Sequence, residues 1–90
     1  MKKGITMISN ERKSQRDSGY NAEHDDKING NGQLAIAAVR LITAIPNRTP
    51  APNGWGLSNW NKLLLKPYVE RLAIAGGLLA AEIDRLQRII

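Results

Sequence analysis

Residues 66–90, KPYVERLAIAGGLLAAEIDRLQRII, decide the fold of this protein. Pro67 suits the first position of a helix, where the N–H that proline lacks would have no intrahelical partner. Apolar residues then recur in steps of three and four, which is the spacing of one face of an α-helix. This first row comprises Val69, Leu72, Gly76, Leu79, Ile83, Leu86 and Ile90. The pattern predicts a long helix from Pro67 to the last residue.

A second apolar row lies beside the first on this helix, at Ile74, Leu78 and Ala81. A chain of 90 residues has only a small core with which to cover both rows. We therefore expect one row to pack on another helix of the chain and the other to meet a partner subunit. Gly76 and Gly77 each cost about 1 kcal/mol in helix propensity, so we expect another backbone to approach closely at this point.

Two further helices are predicted upstream. One runs from Gln33 to Ala44, where Pro46 ends it, and its apolar face repeats at helical spacing as Leu34, Ala37, Ala38 and Leu41. The other runs from about Glu11 to Ser18 and has almost no apolar face, so neighbours or a ligand must stabilise it. The predicted fold class is all-α: a short N-terminal helix, then a two-helix antiparallel hairpin with the long C-terminal helix. We expect the hairpin to oligomerise through helix packing.

Amino-acid composition predicts the boundaries of the leader, the domain and its long loop. Residues 1–8 are predicted to be a flexible leader, and residues 9–90 a single helical domain. Within that domain, residues 46–60 are rich in proline and glycine and are predicted to form a long loop. Trp55 and Trp60 are expected to anchor this loop on the helices rather than to stack on nucleic acid.

The charge of the chain favours anionic partners. Thirteen basic residues against eight acidic ones give a formal charge of +5. The basic residues are scattered in small groups, so binding to bulk nucleic acid is not expected. The sequence has no signal-peptide pattern and no apolar run of about 18 residues, so we expect a cytoplasmic protein without membrane association. It also has no cysteine, which suits a reducing compartment.

The most polar run of the sequence is Glu23-His24-Asp25-Asp26, inside a segment, 19–32, that is predicted to be irregular. If this run is helical, Glu23 and Asp26 lie one turn apart on one face and can offer two carboxylates to Mg²⁺ or Mn²⁺, while Asp25 points elsewhere. The carboxylate pair resembles the acidic motif of nucleotide pyrophosphohydrolases of the MazG type. His24-Asp25 resembles the dipeptide of HD-type phosphohydrolases.

Both of those enzyme families need more ligands than this sequence supplies. Glu82 and Asp84, the other candidates for an acidic pair, are two residues apart and cannot share a helix face. His24 is the only histidine. A Mg²⁺ or Mn²⁺ centre at Glu23 and Asp26 is therefore the secondary alternative, and we expect no cofactor and no catalytic residue.

Two other interpretations of the polar run remain open. It can be structural, because acidic side chains favour the N-terminal end of a helix and can pair with Arg12, Arg16 or Arg71. It can also form a polar cleft in which the arginines of the first helix hold a phosphate, Tyr20 or a loop tryptophan stacks on a base, and a carboxylate accepts hydrogen bonds. The predicted ligand-binding residues are Arg12, Arg16, Tyr20, Glu23, His24, Asp25 and Asp26.

Several blocks of the sequence resemble a family of small phage and prophage proteins. The pattern of that family is ER-x-R-Q, GY-x-x-EHDD, G-[EQ]-LA-x-AA and AEI-x-RL, and the resemblance spans about residues 11–88. The blocks here are Glu11-Arg12 with Gln15, Gly19-Tyr20, Glu23-His24-Asp25-Asp26, Gly32-Gln33-Leu34-Ala35, and Ala81-Glu82-Ile83 with Arg85-Leu86. The chain departs from the pattern at Ser14, where the family has its second arginine, and at Arg16, where an apolar residue usually follows.

The resemblance implies a phage accessory protein that acts in the host cell cytoplasm and counters host defence. A small, basic, non-catalytic homo-oligomer fits the sequestration of a nucleotide-type signal. The first alternative is an inhibitor that docks on a host defence protein through the helical row or the tryptophan loop. The second is a metal-dependent enzyme similar to the nucleotide pyrophosphohydrolases.

Overall fold

The computed structural model describes residues 3–45 and 48–89, which form five α-helices and contain no strand. In chain order these are α1 (Gly4–Asp17), α2 (Ala22–Ile28), α3 (Gln33–Ile42), α4 (Leu57–Leu64) and α5 (Tyr68–Arg88). The predicted all-α class is confirmed for these residues. The positions outside the description are Met1, Lys2, Pro46, Asn47 and Ile90, so parts of the predicted leader, loop and first apolar row lie outside it.

The first helix is longer than predicted. It begins at Gly4 rather than near Glu11, so residues 4–8 of the predicted flexible leader are helical. The reason is tertiary, because the half-buried side chain of Ile8 packs over Gly76 of α5. This contact supplies the apolar anchor that the polar stretch after it lacks.

A short helix, α2, occupies much of the segment that was predicted to be irregular. It begins after Asn21, whose Oδ1 accepts the backbone N–H of His24 at 3.1 Å. This is a standard N-cap, and it satisfies one of the free amides of the first turn. The polar run Glu23-His24-Asp25-Asp26 therefore lies within a helix.

The predicted long loop also contains a helix. Residues 48–56 are irregular, but α4 follows from Leu57, and Trp60 within it is only 1% exposed. Burial of this indole in the core outweighs the turn-forming residues that precede it. Trp60 also donates a hydrogen bond from Nε1 to the carbonyl oxygen of Thr49 at 3.0 Å, which holds the loop on the helices.

The core lies mainly between α3 and α5. Its buried aliphatic members are Leu34, Ala37, Ala38, Leu41, Ile74, Ala75, Leu78 and Ala81. The end of α3 meets the start of α5, where Arg71 donates from Nη1 to the carbonyl oxygen of Leu41 at 2.7 Å. Arg71 also donates to the carbonyl oxygen of Lys66 at 3.1 Å, so it caps helix ends rather than pairing with the polar run.

The two apolar rows of α5 have different environments. The second row is buried, whereas the first row is largely exposed to solvent. The exposed side chains of that row are Val69, Leu72, Leu79, Ile83 and Leu86. The chain thus covers one row with its own helices and leaves the other open.

We had expected another backbone to approach the two glycines of α5. Side chains of α1 approach them instead. A Cβ atom at Gly76 would lie 2.7 Å from Cδ1 of Ile8, and one at Gly77 would lie 2.9 Å from Nε2 of Gln15. Glycine is used here because it leaves room for two side chains of α1 on the surface of α5.

None of the five helices in the described part of the chain has the length and apolar character that a membrane span requires.

Candidate ligand-binding pocket

A cavity of about 560 Å³ lies among α1, α2, α4, the loop before α4 and the core face of α5. Its volume is in the range of about 300–1,000 Å³ that is typical of small-molecule sites. Apolar core residues such as Ile74 and Leu78 form one side, and polar residues of α1 and α2 form another. Four of the seven predicted site residues line it: Arg12, Tyr20, His24 and Asp25.

Asp25 and Asn29 are the two most deeply buried polar residues among those that line this pocket. The side chain of Asp25 is 1% exposed, and its Oδ1 accepts a hydrogen bond from Nδ2 of Asn29 at 3.1 Å. The other carboxylate oxygen, Oδ2, accepts no hydrogen bond from the described part of the chain. Burial of a carboxylate oxygen without a donor is costly, so this atom favours a ligand that can donate to it.

Arg12 brings the opposite charge to the same cavity. Its side chain is 10% exposed, and its Nη2 lies 3.9 Å from Oδ2 of Asp25 and 3.8 Å from Oδ2 of Asp84. These separations are too long for hydrogen bonds. The one hydrogen bond that the guanidinium makes to the described residues is a 3.4 Å contact from Nη1 to the carbonyl oxygen of Tyr20. Among the residues described, nothing accepts a hydrogen bond from Nε.

Asn29 joins Asp25 to the tryptophan loop. While its amide nitrogen donates to Asp25, its Oδ1 accepts the indole N–H of Trp55 at 2.8 Å. The two bonds fix the orientation of the amide, because only its oxygen can accept from an indole and only its nitrogen can donate to a carboxylate. A residue of the loop thereby holds the pocket carboxylate in position.

Two aromatic pairs lie near the polar centre of the pocket, which consists of Arg12, Asp25 and Asn29. The rings of Tyr20 and His24 are 5.1 Å apart at 81°, and those of Trp55 and Trp60 are 5.9 Å apart at 81°. Both are edge-to-face pairs, which are favourable arrangements for aromatic rings. Nδ1 of His24 lies 3.7 Å from Oδ1 of Asp25, beyond hydrogen-bonding distance.

The other three predicted site residues do not line the pocket. Arg16 is exposed on α1, and Glu23 is paired with Lys27 at 3.1 Å on the surface of α2. Asp26 accepts a 2.8 Å hydrogen bond from Nη2 of Arg88. That bond lowers the pKa of the Asp26 carboxyl below its ordinary value and raises the pKa of Arg88.

The same pairings bear on the metal alternative. Glu23 and Asp26, the two carboxylates proposed for Mg²⁺ or Mn²⁺, are each paired with a cation of the chain itself. Within residues 3–45 and 48–89, no three acidic or histidine side chains are grouped so that they could hold a metal ion.

Sequence reasoning missed several pocket residues, among them Gln15, Asn29, Asn59 and Lys62. It had named a loop tryptophan as an alternative to Tyr20 for stacking, and Trp55 does line the pocket. Asn29 stands beside Gly30 and has the composition of an ordinary turn residue, so nothing local distinguishes it. The two tryptophans were the available signal, because an indole N–H that enters a core needs an acceptor there. Its acceptor could not be named without the fold.

The fold and the pocket together define a small all-α protein with a polar centre between aromatic side chains. Comparison of the chain with models of known protein families, with curated proteins and with solved structures gave no match.

Proposed function

We propose that this protein binds a nucleotide-type small molecule in the pocket and sequesters it without chemical change. In this proposal it is a phage-encoded accessory protein that counters host defence in the host cell cytoplasm by removing a signal molecule. The observation that carries the binding proposal is a group of three buried polar atoms that have no hydrogen-bond partner among the described residues: Oδ2 of Asp25, Nε of Arg12 and Nδ1 of His24, all on residues that line one cavity. A ligand that hydrogen-bonds these atoms would relieve their desolvation cost.

The surroundings of these atoms support a ligand with a flat ring and an anionic group. Tyr20, His24 and Trp55 offer aromatic surface, and aromatic rings bind nucleobases by stacking with little regard to sequence. The net charge of +5 draws anions toward the protein as a whole. A nucleotide combines both features in a molecule of suitable size for the cavity.

Sequestration without hydrolysis is supported by the way the acidic residues are engaged. Asp25 is held by Asn29 at the base of the pocket, while Glu23 and Asp26 are paired with Lys27 and Arg88 outside it. A hydrolase of the type considered would use the latter two carboxylates for metal, so the ion pairs would have to be broken first.

One experiment separates the three candidate functions. The purified protein is incubated with cyclic oligonucleotides or ADP-ribose derivatives, washed, heated to release bound material, and the supernatant is analysed by chromatography. We expect intact ligand to be recovered. Fragments of the ligand would establish the enzyme alternative, and no recovered ligand would leave the inhibitor of a host defence protein.

Arg12→Ala is expected to weaken binding of the captured nucleotide by about 10- to 100-fold. The reason is that the variant removes a charged donor, and a charge-assisted hydrogen bond contributes about 1.5–3 kcal/mol. Arg16→Ala is the matched control, because Arg16 is on the same helix but outside the pocket. Isothermal titration calorimetry measures both. Equal losses in the two variants would remove this pocket as the binding site.

We also propose that the protein is a homo-oligomer that assembles through the exposed row of α5. Leu72, Leu79, Ile83 and Leu86 are 38%, 42%, 56% and 43% exposed and follow one another at intervals of seven, four and three residues. That is the spacing of a coiled-coil seam, in which two copies of one helix can pack against each other. An apolar row of this length is unusual on the surface of a monomer.

Ile83→Glu is expected to shift the protein from oligomer to monomer at micromolar concentration. A carboxylate in the middle of the seam would be buried without a partner on association, which costs several kcal/mol. Asn61→Glu, on the exposed face of α4, adds the same charge elsewhere and should leave the oligomer intact. Sedimentation equilibrium gives the masses, and a wild-type protein that is already monomeric contradicts the proposal.

A further inference from the structure

The charged residues of the pocket are balanced in sign. Those that line it are Glu11, Arg12, Asp25 and Lys62, two acidic and two basic. They are unequally buried, because the side chain of Asp25 is 1% exposed and that of Arg12 is 10% exposed, whereas Lys62 is exposed to solvent. The cavity thus has an ion pair in its depth, together with an exposed cation, Lys62, and a half-buried carboxylate, Glu11, neither of which forms an ion pair with the described residues.

This distribution opposes a phosphate in the depth of the pocket. A phosphate placed against Oδ2 of Asp25 would bring two negative charges together where little water screens them, and their repulsion would be large. Arg12 cannot offset it alone, because its guanidinium also lies near Asp84, 3.8 Å from Nη2 to Oδ2. The exposed Lys62 can accept a phosphate at low cost, since both groups remain partly hydrated there.

Two of the three buried atoms without a partner among the described residues have the complementary polarity for the edge of a nucleobase; the third is Nδ1 of His24. Oδ2 of Asp25 requires a donor, and Nε of Arg12 requires an acceptor, and their side chains approach within 3.9 Å. Nucleobases carry ring or amino N–H donors directly beside carbonyl or ring-nitrogen acceptors on one edge. Carboxylates that accept from an amino group and arginines that donate to O6 or N7 are established pairings of this kind.

From these three observations we infer that the pocket binds its ligand by the heterocycle, with the base edge on Asp25 and Arg12 and the phosphate outside beside Lys62. The ligand class is then a nucleoside or nucleotide that is recognised through its base, with the phosphate as a minor determinant. This inference rests on the proposed function, which requires only that a nucleotide binds somewhere in the pocket.

The test uses calorimetric titration of the full-length protein with the four ribonucleosides, their 5′-monophosphates, ribose 5-phosphate and inorganic phosphate. We expect at least one nucleoside to bind within about tenfold of its own monophosphate, and both phosphate probes to bind far more weakly. If a monophosphate binds, its nucleoside does not, and ribose 5-phosphate competes with it, the orientation is wrong although the pocket still binds nucleotides. If no nucleoside or monophosphate binds although the heat-release experiment recovers an intact nucleotide-type ligand, the inference fails and the proposed function stands. If the heat-release experiment recovers nothing either, the proposed function fails as well.

Two variants test the two ends of the ligand separately: Asp25→Asn tests the base end, and Lys62→Gln tests the phosphate end. Asp25→Asn should lower nucleoside affinity by at least about tenfold, because an amide can no longer offer the charged acceptor. Asp26→Asn, the neighbouring carboxylate outside the pocket, should leave that affinity unchanged. Circular dichroism checks that both aspartate variants are folded. Equal nucleoside affinity in Asp25→Asn and the wild type would overturn the base contact.

Lys62→Gln provides a test that does not depend on the buried residues, since Lys62 is exposed. It should weaken the monophosphate by about two- to fivefold while nucleoside affinity stays the same. Lys66→Gln is the matched control, an exposed lysine close by in the chain that does not line the cavity. A loss in Lys62→Gln that is equal for nucleoside and monophosphate would overturn the placement of the phosphate.

Discussion

Trp60→Ala is expected to lower the free energy of unfolding by about 3–5 kcal/mol, the usual cost of truncating a fully buried tryptophan. Trp60 is 1% exposed and is the largest fully buried side chain of the described residues. It packs with the α3 and α5 core, meets Trp55 edge to face, and ties residue Thr49 of the loop to α4 through its indole N–H. All three contacts are lost together in the variant.

The effect is large because a domain of this size has little stability in reserve. At roughly 0.05–0.15 kcal/mol per residue, a chain of 90 residues is stable by about 5–13 kcal/mol. Urea denaturation followed by circular dichroism measures the change. Leu57→Ala is the control on the same helix, because Leu57 is 63% exposed and its truncation should cost under about 0.5 kcal/mol. A similarly small loss for Trp60→Ala would contradict its assignment to the core.

Asn29→Ala is expected to lower the free energy of unfolding by about 2–4 kcal/mol, although it removes only a small polar side chain. Asn29 is 1% exposed and bridges two groups, since it donates to Asp25 and accepts from Trp55. Without it, a buried carboxylate and a partly buried indole N–H both lose their partners. Leaving such groups unsatisfied costs about 1–3 kcal/mol each.

Asn29→Ala also tests whether the hydrogen bonds of Asn29 hold the tryptophan loop in place or can be replaced by water. If these hydrogen bonds hold the tryptophan loop in place, Asn29→Ala should increase the solvent exposure of Trp55, which shifts tryptophan fluorescence emission to longer wavelength. Asn61→Ala, at an exposed position of α4, should leave both stability and emission unchanged. Stability in Asn29→Ala that equals the wild type would mean that water replaces the missing amide at no cost.

The polar run on α2 shows how much a local pattern could predict. Its helical spacing indicated that Asp25 would face away from Glu23 and Asp26, and the structure has Asp25 buried while the other two are exposed. What the spacing could not supply was the direction of each face relative to the rest of the chain. Arg88 is 62 residues from Asp26 in sequence, so their ion pair depends entirely on where α5 ends.

The same limit applies to the first helix and to the tryptophan loop. The stretch after Asn10 has too few apolar residues to predict its burial. Arg12 is nevertheless 8% exposed, because α1 packs against α5 and Asp25 of α2 lies 3.9 Å from its guanidinium. The glycines and prolines before Trp55 predicted irregular structure correctly. They also led to the prediction of a loop as far as residue 60, although α4 begins at Leu57. Turn-forming composition in one segment says little about the helix that follows it.

By itself, the sequence determined the all-α class, the positions of α3 and α5, and the presence of two apolar rows on α5, because these follow from a repeat of three and four residues along one chain. Only the tertiary structure decided which row is buried, that Ile8 and Gln15 fill the space over the two glycines, and that Arg12, Asp25, Asn29 and Trp55 converge. The periodicity of apolar residues shows only which face of a helix is apolar over its whole length. A pocket depends on the distances between side chains from different helices, and those distances are fixed only when the helices pack.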